Sequence, residues 1–110
     1  MALFRYFTEK EPYYIELHYE GMSYKKSPIE VYLTQKEDTE YNSLEHLGTI
    51  EYNGEKAQQG YHFKSKEGDV EIKWVKKMWI ISIMKVFLNG NPLKGSEIIN
   101  INGVQTGKYT

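Results

Sequence analysis

The side chains able to do chemistry near neutral pH are few. Among them are His18, His46 and His62, each in a different segment. Across a sheet they could meet around a metal ion, but no local ligand spacing supports such a site. The run Lys36-Glu37-Asp38-Thr39-Glu40 concentrates acids, yet lacks the glycine and the final bidentate glutamate of a calcium loop. Paired carboxylates can cleave glycosides. Thirteen Glu and two Asp are present, and Glu16 and Glu30 could be cross-strand neighbours, but acids on outward faces are the common case. There is no G-x-G-x-x-G, Walker loop, G-x-S-x-G elbow or H-E-x-x-H. With no cysteine, thiolate nucleophiles, thiolate zinc sites and disulfides are excluded. No cofactor and no metal is implied, and the inventory points to binding without catalysis.

Binding residues are easier to find. The chain has ten tyrosines, and Tyr offers both strand packing and a large rigid contact surface with a polar tip. Charge is divided unevenly. Residues 1–55 hold eleven acids and five bases, residues 56–110 four acids and nine lysines, and the whole chain carries −1. Such asymmetry hints at a charged interaction surface, provided the folded sheet does not interleave the two halves. The acidic candidates are Tyr14, Glu16 and His18 on one outward strand face, Glu30 and Tyr32 on the next, and Glu37, Asp38 and Glu40 in the polar segment after it. Carboxylates interleaved with tyrosines suit a basic protein partner, which they would attract at long range and hold by charge-assisted bonds.

The elements that must position these residues follow from period-two alternation. In YYIELHY, Tyr13, Ile15, Leu17 and Tyr19 share one face and Tyr14, Glu16 and His18 the other; in PIEVYLTQ, Ile29, Val31 and Leu33 turn inward and Glu30, Tyr32 and Thr34 outward. Gly21 and Pro28 mark a turn between them. QKEDTEYNSLEH has no clear period and reads as a loop, with at most one helical turn near Asn42–His46. Asn53-Gly54 is a hairpin signal, followed by a return strand over 59–66, a turn at 66–69, and alternation of Val70, Ile72 and Trp74 with Glu71, Lys73 and Val75.

The apolar run WVKKMWIISIMKVF, residues 74–87, is too short and too charged to span a bilayer. It fits a helix poorly. As a strand over 78–88, with a turn near Lys76-Lys77, it is apolar on both faces, as a central strand would be. Glu97–Ile101 is a further strand, and Asn102-Gly103 a turn.

The sum is a single domain, residues 1–110, all-β and antiparallel: a sandwich or small open barrel of about eight strands with at most one short helical turn. No secretory signal is visible, and the lack of cysteine favours a reducing compartment, the cytoplasm. No stretch carries a family signature from which function could be transferred. By elimination and charge, the expectation is a non-enzymatic bacterial immunity or inhibitor protein that neutralises a basic partner such as a nuclease toxin. Reversing Glu16, Glu30 and Asp38 to Lys is expected to slow association and leave the fold intact. An exposed sheet edge could also join two copies.

Two alternatives remain. A barrel could hold a small ligand, although Tyr61, Phe63, Trp79 and Phe87 would more simply fill it. The basic half could bind single-stranded nucleic acid through His62, Lys64, Lys66 and Lys73. That partner is disfavoured, because Tyr61, Phe63 and Trp74 alternate away from the lysines and Arg5 is the one arginine.

Overall fold

In the computed structural model, the structure describes residues 2–8, 12–20, 27–77, 81–101 and 104–109. They form ten strands and one short helix: β1 (Ala2–Phe7), β2 (Tyr13–Tyr19), β3 (Ile29–Glu37), β4 (Glu40–Ile50), α1 (Gly54–Gln59), β5 (Tyr61–Ser65), β6 (Gly68–Lys77), β7 (Ile81–Leu88), β8 (Asn91–Pro92), β9 (Gly95–Ile101) and β10 (Val104–Tyr109). Two sheets result, one of order β10-β9-β1-β2-β3-β4, the other β5-β6-β7-β8. Every ladder is antiparallel.

Alternation in the sequence becomes two inner faces that share one core. Tyr6, Ile15, Leu17, Tyr19, Ile29, Val31, Leu33 and Ile50 come from the first sheet; Tyr61, Val70, Ile72, Trp74, Val86 and Leu88 come from the second. Ile15, Leu17, Val31, Leu33 and Ile72 are completely buried. Truncating Ile15, Leu17, Leu33 or Ile72 to Ala would destabilise by about 2–5 kcal/mol. The fold is therefore the expected all-β antiparallel architecture, and β2, β3 and β6 lie where period two places them.

The polar segment after Gln35 is a strand, not a loop. β4 pairs with β3 along its length, but with two register shifts: Val31 faces Gly48 while Tyr32 faces His46, and Leu33 faces Glu45 while Thr34 faces Ser43. Leu47 and Leu44 are the extra residues of two bulges, each of which breaks the alternation once. A strand interrupted twice has no period to read. The helical turn is also elsewhere. Asn53 caps α1, its side chain accepting from the backbone N–H of Glu55 at 3.1 Å and Lys56 at 3.3 Å. Asn favours an N-cap as strongly as a hairpin turn, and here the cap wins. Gly60 ends the helix with φ 104°.

β1 is an additional strand at the start of the chain. The apolar run 74–87 divides between the end of β6 and β7, with residues 78–80 outside the described residues. Among the described residues, β8 pairs β7 only at Phe87 and Leu88, and Ile81–Val86 is flanked by β6 alone, so β7 is not central there over most of its length. Among the described residues no helix is long and apolar enough to cross a membrane.

The chain crosses between sheets after Ile50. There the Tyr61 hydroxyl donates to the Glu51 carbonyl at 3.0 Å and accepts from the Asn53 N–H at 3.1 Å. Phe63 lies over the backbone of Gly48, where an added Cβ would stand 2.5 Å from its ring. The acidic half and the first part of the basic half therefore lie in different sheets, β1–β4 in one and β5–β8 in the other, while β9 and β10 of the basic half return to the first sheet, where β9 pairs with β1.

Candidate functional site

The residues expected to meet a partner lie on the outer face of the six-stranded sheet, and the ladder sets their neighbours. Arg5 stands opposite Glu16, Glu16 opposite Tyr32, His18 opposite Glu30, and Tyr32 opposite His46. Arg5 Nε donates to Glu16 Oε2 at 2.5 Å. Glu16 Oε1 accepts from Thr34 Oγ1 at 3.2 Å and lies 3.1 Å from His18 Nε2. The Arg5 guanidinium lies 3.4 Å above the centre of the Tyr41 ring. Tyr41 meets Tyr14 edge-on at 5.4 Å, and Tyr14 meets Phe7 in the same way at 5.2 Å.

These contacts seal an outward-facing cluster. Glu16 is only 3% exposed, Tyr14 7%, Arg5 8% and Thr34 0%. Burial pushes the Glu16 carboxyl upward. The hydrogen bonds from His18 and Arg5, with the charge of Arg5, outweigh that effect and hold it below its ordinary value.

A second row is more open. Tyr32 lies between two imidazoles, its ring centre 4.9 Å from His18 and 4.9 Å from His46. His46 Nε2 lies 2.5 Å from Glu30 Oε2, and Thr49 Oγ1 donates to the same carboxylate at 2.9 and 3.1 Å. Each of these two histidines thus has a carboxylate partner, the arrangement that general acid–base chemistry uses. The Tyr32 ring lies between them, and a pocket of about 330 Å³ borders His18, Glu30 and Tyr32. Among the described residues no group of three or more His, Asp or Glu is arranged to hold a metal ion.

Of the eight expected contact residues, Tyr14 and Glu16 face outward but are closed off by their neighbours. His18, Glu30 and Tyr32 are half-buried in the second row. Glu37, Asp38 and Glu40 are exposed at the β3–β4 turn, where Asp38 adopts a left-handed φ of 56°, a conformation that Asp tolerates better than most residues. No ion pair reaches any of the three acids among the described residues. Alternation therefore groups the first five residues correctly on one face but separates them from the turn.

The reading from sequence placed Thr34 on this face but missed Arg5, Tyr41, His46 and Thr49 as members of it. A signal for Arg5 existed: in ALFRYF, Phe4 and Tyr6 alternate with Arg5 and Phe7. For His46 and Thr49 there was none, because the bulges shift their parity.

Compared with protein-family models, with curated proteins and with solved structures, the chain matches none.

Proposed function

We propose that the protein acts by binding alone, as an immunity- or inhibitor-type module that neutralises a basic protein partner, such as a nuclease toxin, in the bacterial cytoplasm. The β3–β4 turn carries this reading. Glu37, Asp38 and Glu40 stand exposed within one tight turn, without a paired cation among the described residues. The acids on the adjoining sheet face are spoken for, Glu16 by Arg5 and Glu30 by His46. Uncompensated charge on a tip is free to draw in lysine and arginine from solution and to accept their hydrogen bonds. Tyr32, half-buried beside Glu30 on the adjoining sheet face, offers a rigid aromatic contact surface of its own.

The test is capture of the protein from cells that make it, followed by native mass spectrometry at low and high salt. A stoichiometric basic partner, held at low salt and released at high salt, is the expected result. The triple reversal Glu37→Lys, Asp38→Lys, Glu40→Lys should then slow association by about tenfold or more while changing dissociation little. Unchanged affinity and salt dependence in that variant would remove the tip from the interface.

A further inference from the structure

On the outer face of the four-stranded sheet, Lys73 of β6 stands directly opposite Lys85 of β7. Like charges at one rung weaken a ladder, and only one of the two is relieved. Lys73 Nζ lies 3.6 Å from Glu71 and 5.0 Å from the centre of the Phe87 ring. Lys85 is exposed and has no carboxylate partner among the described residues.

Beside Phe87 lies a shallow pocket of about 440 Å³, with His62, Lys64, Asp69 and Glu71 around it. Lys64 is exposed, stands opposite Asp69 on the β5–β6 ladder, and makes no ion pair within 4 Å among the described residues. Of the two acids, Glu71 is engaged by His62 at 3.4 Å and by Lys73. Tyr61 and Trp74 turn into the core, whereas Phe87 shares a face with the lysines.

We propose that this face binds a short stretch of single-stranded nucleic acid, with one base in the pocket against Phe87 and the flanking phosphates on Lys64, Lys73 and Lys85. Such binding needs cations along the backbone and an aromatic surface for a base on the same side. The ladder supplies both. The pocket is within the size range of small-ligand sites, and Asp69 and Glu71 at its rim can accept from the amino groups of a base. A lipid surface fits less well, because the aromatic ring is recessed rather than protruding. The proposal uses none of the residues of the β3–β4 turn and stands independently of it.

Labelled eight-nucleotide DNA and RNA homopolymers, titrated with the protein at low salt and read by fluorescence anisotropy, test it. Saturable binding is expected, with log Kd rising against log salt at a slope of about 2, for about three phosphates on a single strand. Lys64→Glu with Lys85→Glu, both at exposed positions, should weaken binding at least about tenfold with the fold unchanged. Phe87→Leu, which keeps an apolar side chain on the sheet, should weaken it by about tenfold through lost stacking. No saturable signal for any oligonucleotide up to about 100 μM protein, the weak end of non-specific binding, would overturn the proposal. So would binding that the double lysine variant leaves unchanged, or co-flotation with phosphatidylserine vesicles in place of oligonucleotide binding.

Discussion

The outer faces of the two sheets are built from the same kinds of residue and behave differently. Both carry charged side chains and aromatic rings. On the six-stranded sheet, opposite charges share a rung: Arg5 faces Glu16, and the pair is buried beneath Tyr41 and its neighbours. On the four-stranded sheet, Lys64 faces Asp69 and His62 faces Glu71, but at one β6–β7 rung like charges meet: Lys73 faces Lys85, and Lys85 is left in solvent. The difference lies in register, not in composition. Where register pairs charges, they become part of the structure and are lost to a partner. Where it opposes them, the face keeps unspent charge.

The comparison is broken most severely at Glu16. Glu16→Lys would place a second cation against Arg5 in a site closed to water. Removing one partner of a buried pair is destabilising by about 3–5 kcal/mol, and the reversal should do at least that. Urea denaturation would show a midpoint shift large enough to leave the chain partly unfolded in buffer. The expectation from sequence, that reversing Glu16 with Glu30 and Asp38 leaves the fold intact, does not survive the burial of Glu16. The double substitution Arg5→Met with Glu16→Leu should recover much of the loss, since an apolar pair of similar volume can replace a buried ion pair.

A gentler break uses protons. Glu16 is held below its ordinary value of 4.5 in the folded protein, so between that value and its folded one the unfolded chain binds more protons. The stabilisation is complete above the ordinary value and is lost as pH falls through the folded one. Denaturation midpoints measured from about pH 7 to about pH 3 should therefore fall in the acid range. In Glu16→Gln the profile should start lower and be flatter there. Parallel profiles for the two proteins would mean that Glu16 does not carry the acid sensitivity.

How far this difference was legible in the sequence depends on the residue. Alternation identifies which side of a strand Glu16, His18, Glu30 and Tyr32 occupy, and the ladders agree with it. It does not say what lies on top. Glu16 is covered because Arg5, eleven residues away, meets it across β1–β2, and because Tyr41 arrives from a strand that the period does not reveal. β4 was illegible for a definite reason. Two bulges put Tyr41, Ser43, His46 and Thr49 on one face, at intervals of two, three and three. Such spacing matches neither a strand nor a helix. Asn53-Gly54 was legible as punctuation but ambiguous in meaning, since the same asparagine suits a turn and an N-cap. The unequal charge of the two halves was plain. That β1–β4 and β5–β8 would lie in different sheets depended on the crossing after Ile50, and β9 and β10 return to the first sheet.

Acids at the tip sharpen the contrast with Glu16. Glu37→Lys, or Asp38→Lys, alters an exposed turn without ion pairs, and the change in stability should stay within about 0.5 kcal/mol. The comparison of these with Glu16→Lys by urea denaturation separates charge held for the fold from charge available to a partner. A loss at the tip comparable to that at Glu16 would show that the turn is structurally tied.

The smallest effect, and the one of opposite sign, is expected at Lys85. Lys85→Glu replaces a like-charge rung opposite Lys73 with an opposite-charge one. Cross-strand charge pairs contribute about 0.2–1 kcal/mol, so the substitution should leave stability unchanged or raise it slightly. The gain should fade in high salt, because the site is open to solvent. A denaturation midpoint that rises at low salt and returns to that of the unsubstituted protein at high salt would identify Lys85 as a residue the fold does not require. A clear loss of stability would mean that Lys85 has a structural partner, and the four-stranded sheet would then resemble the six-stranded one in using its outward charges for itself.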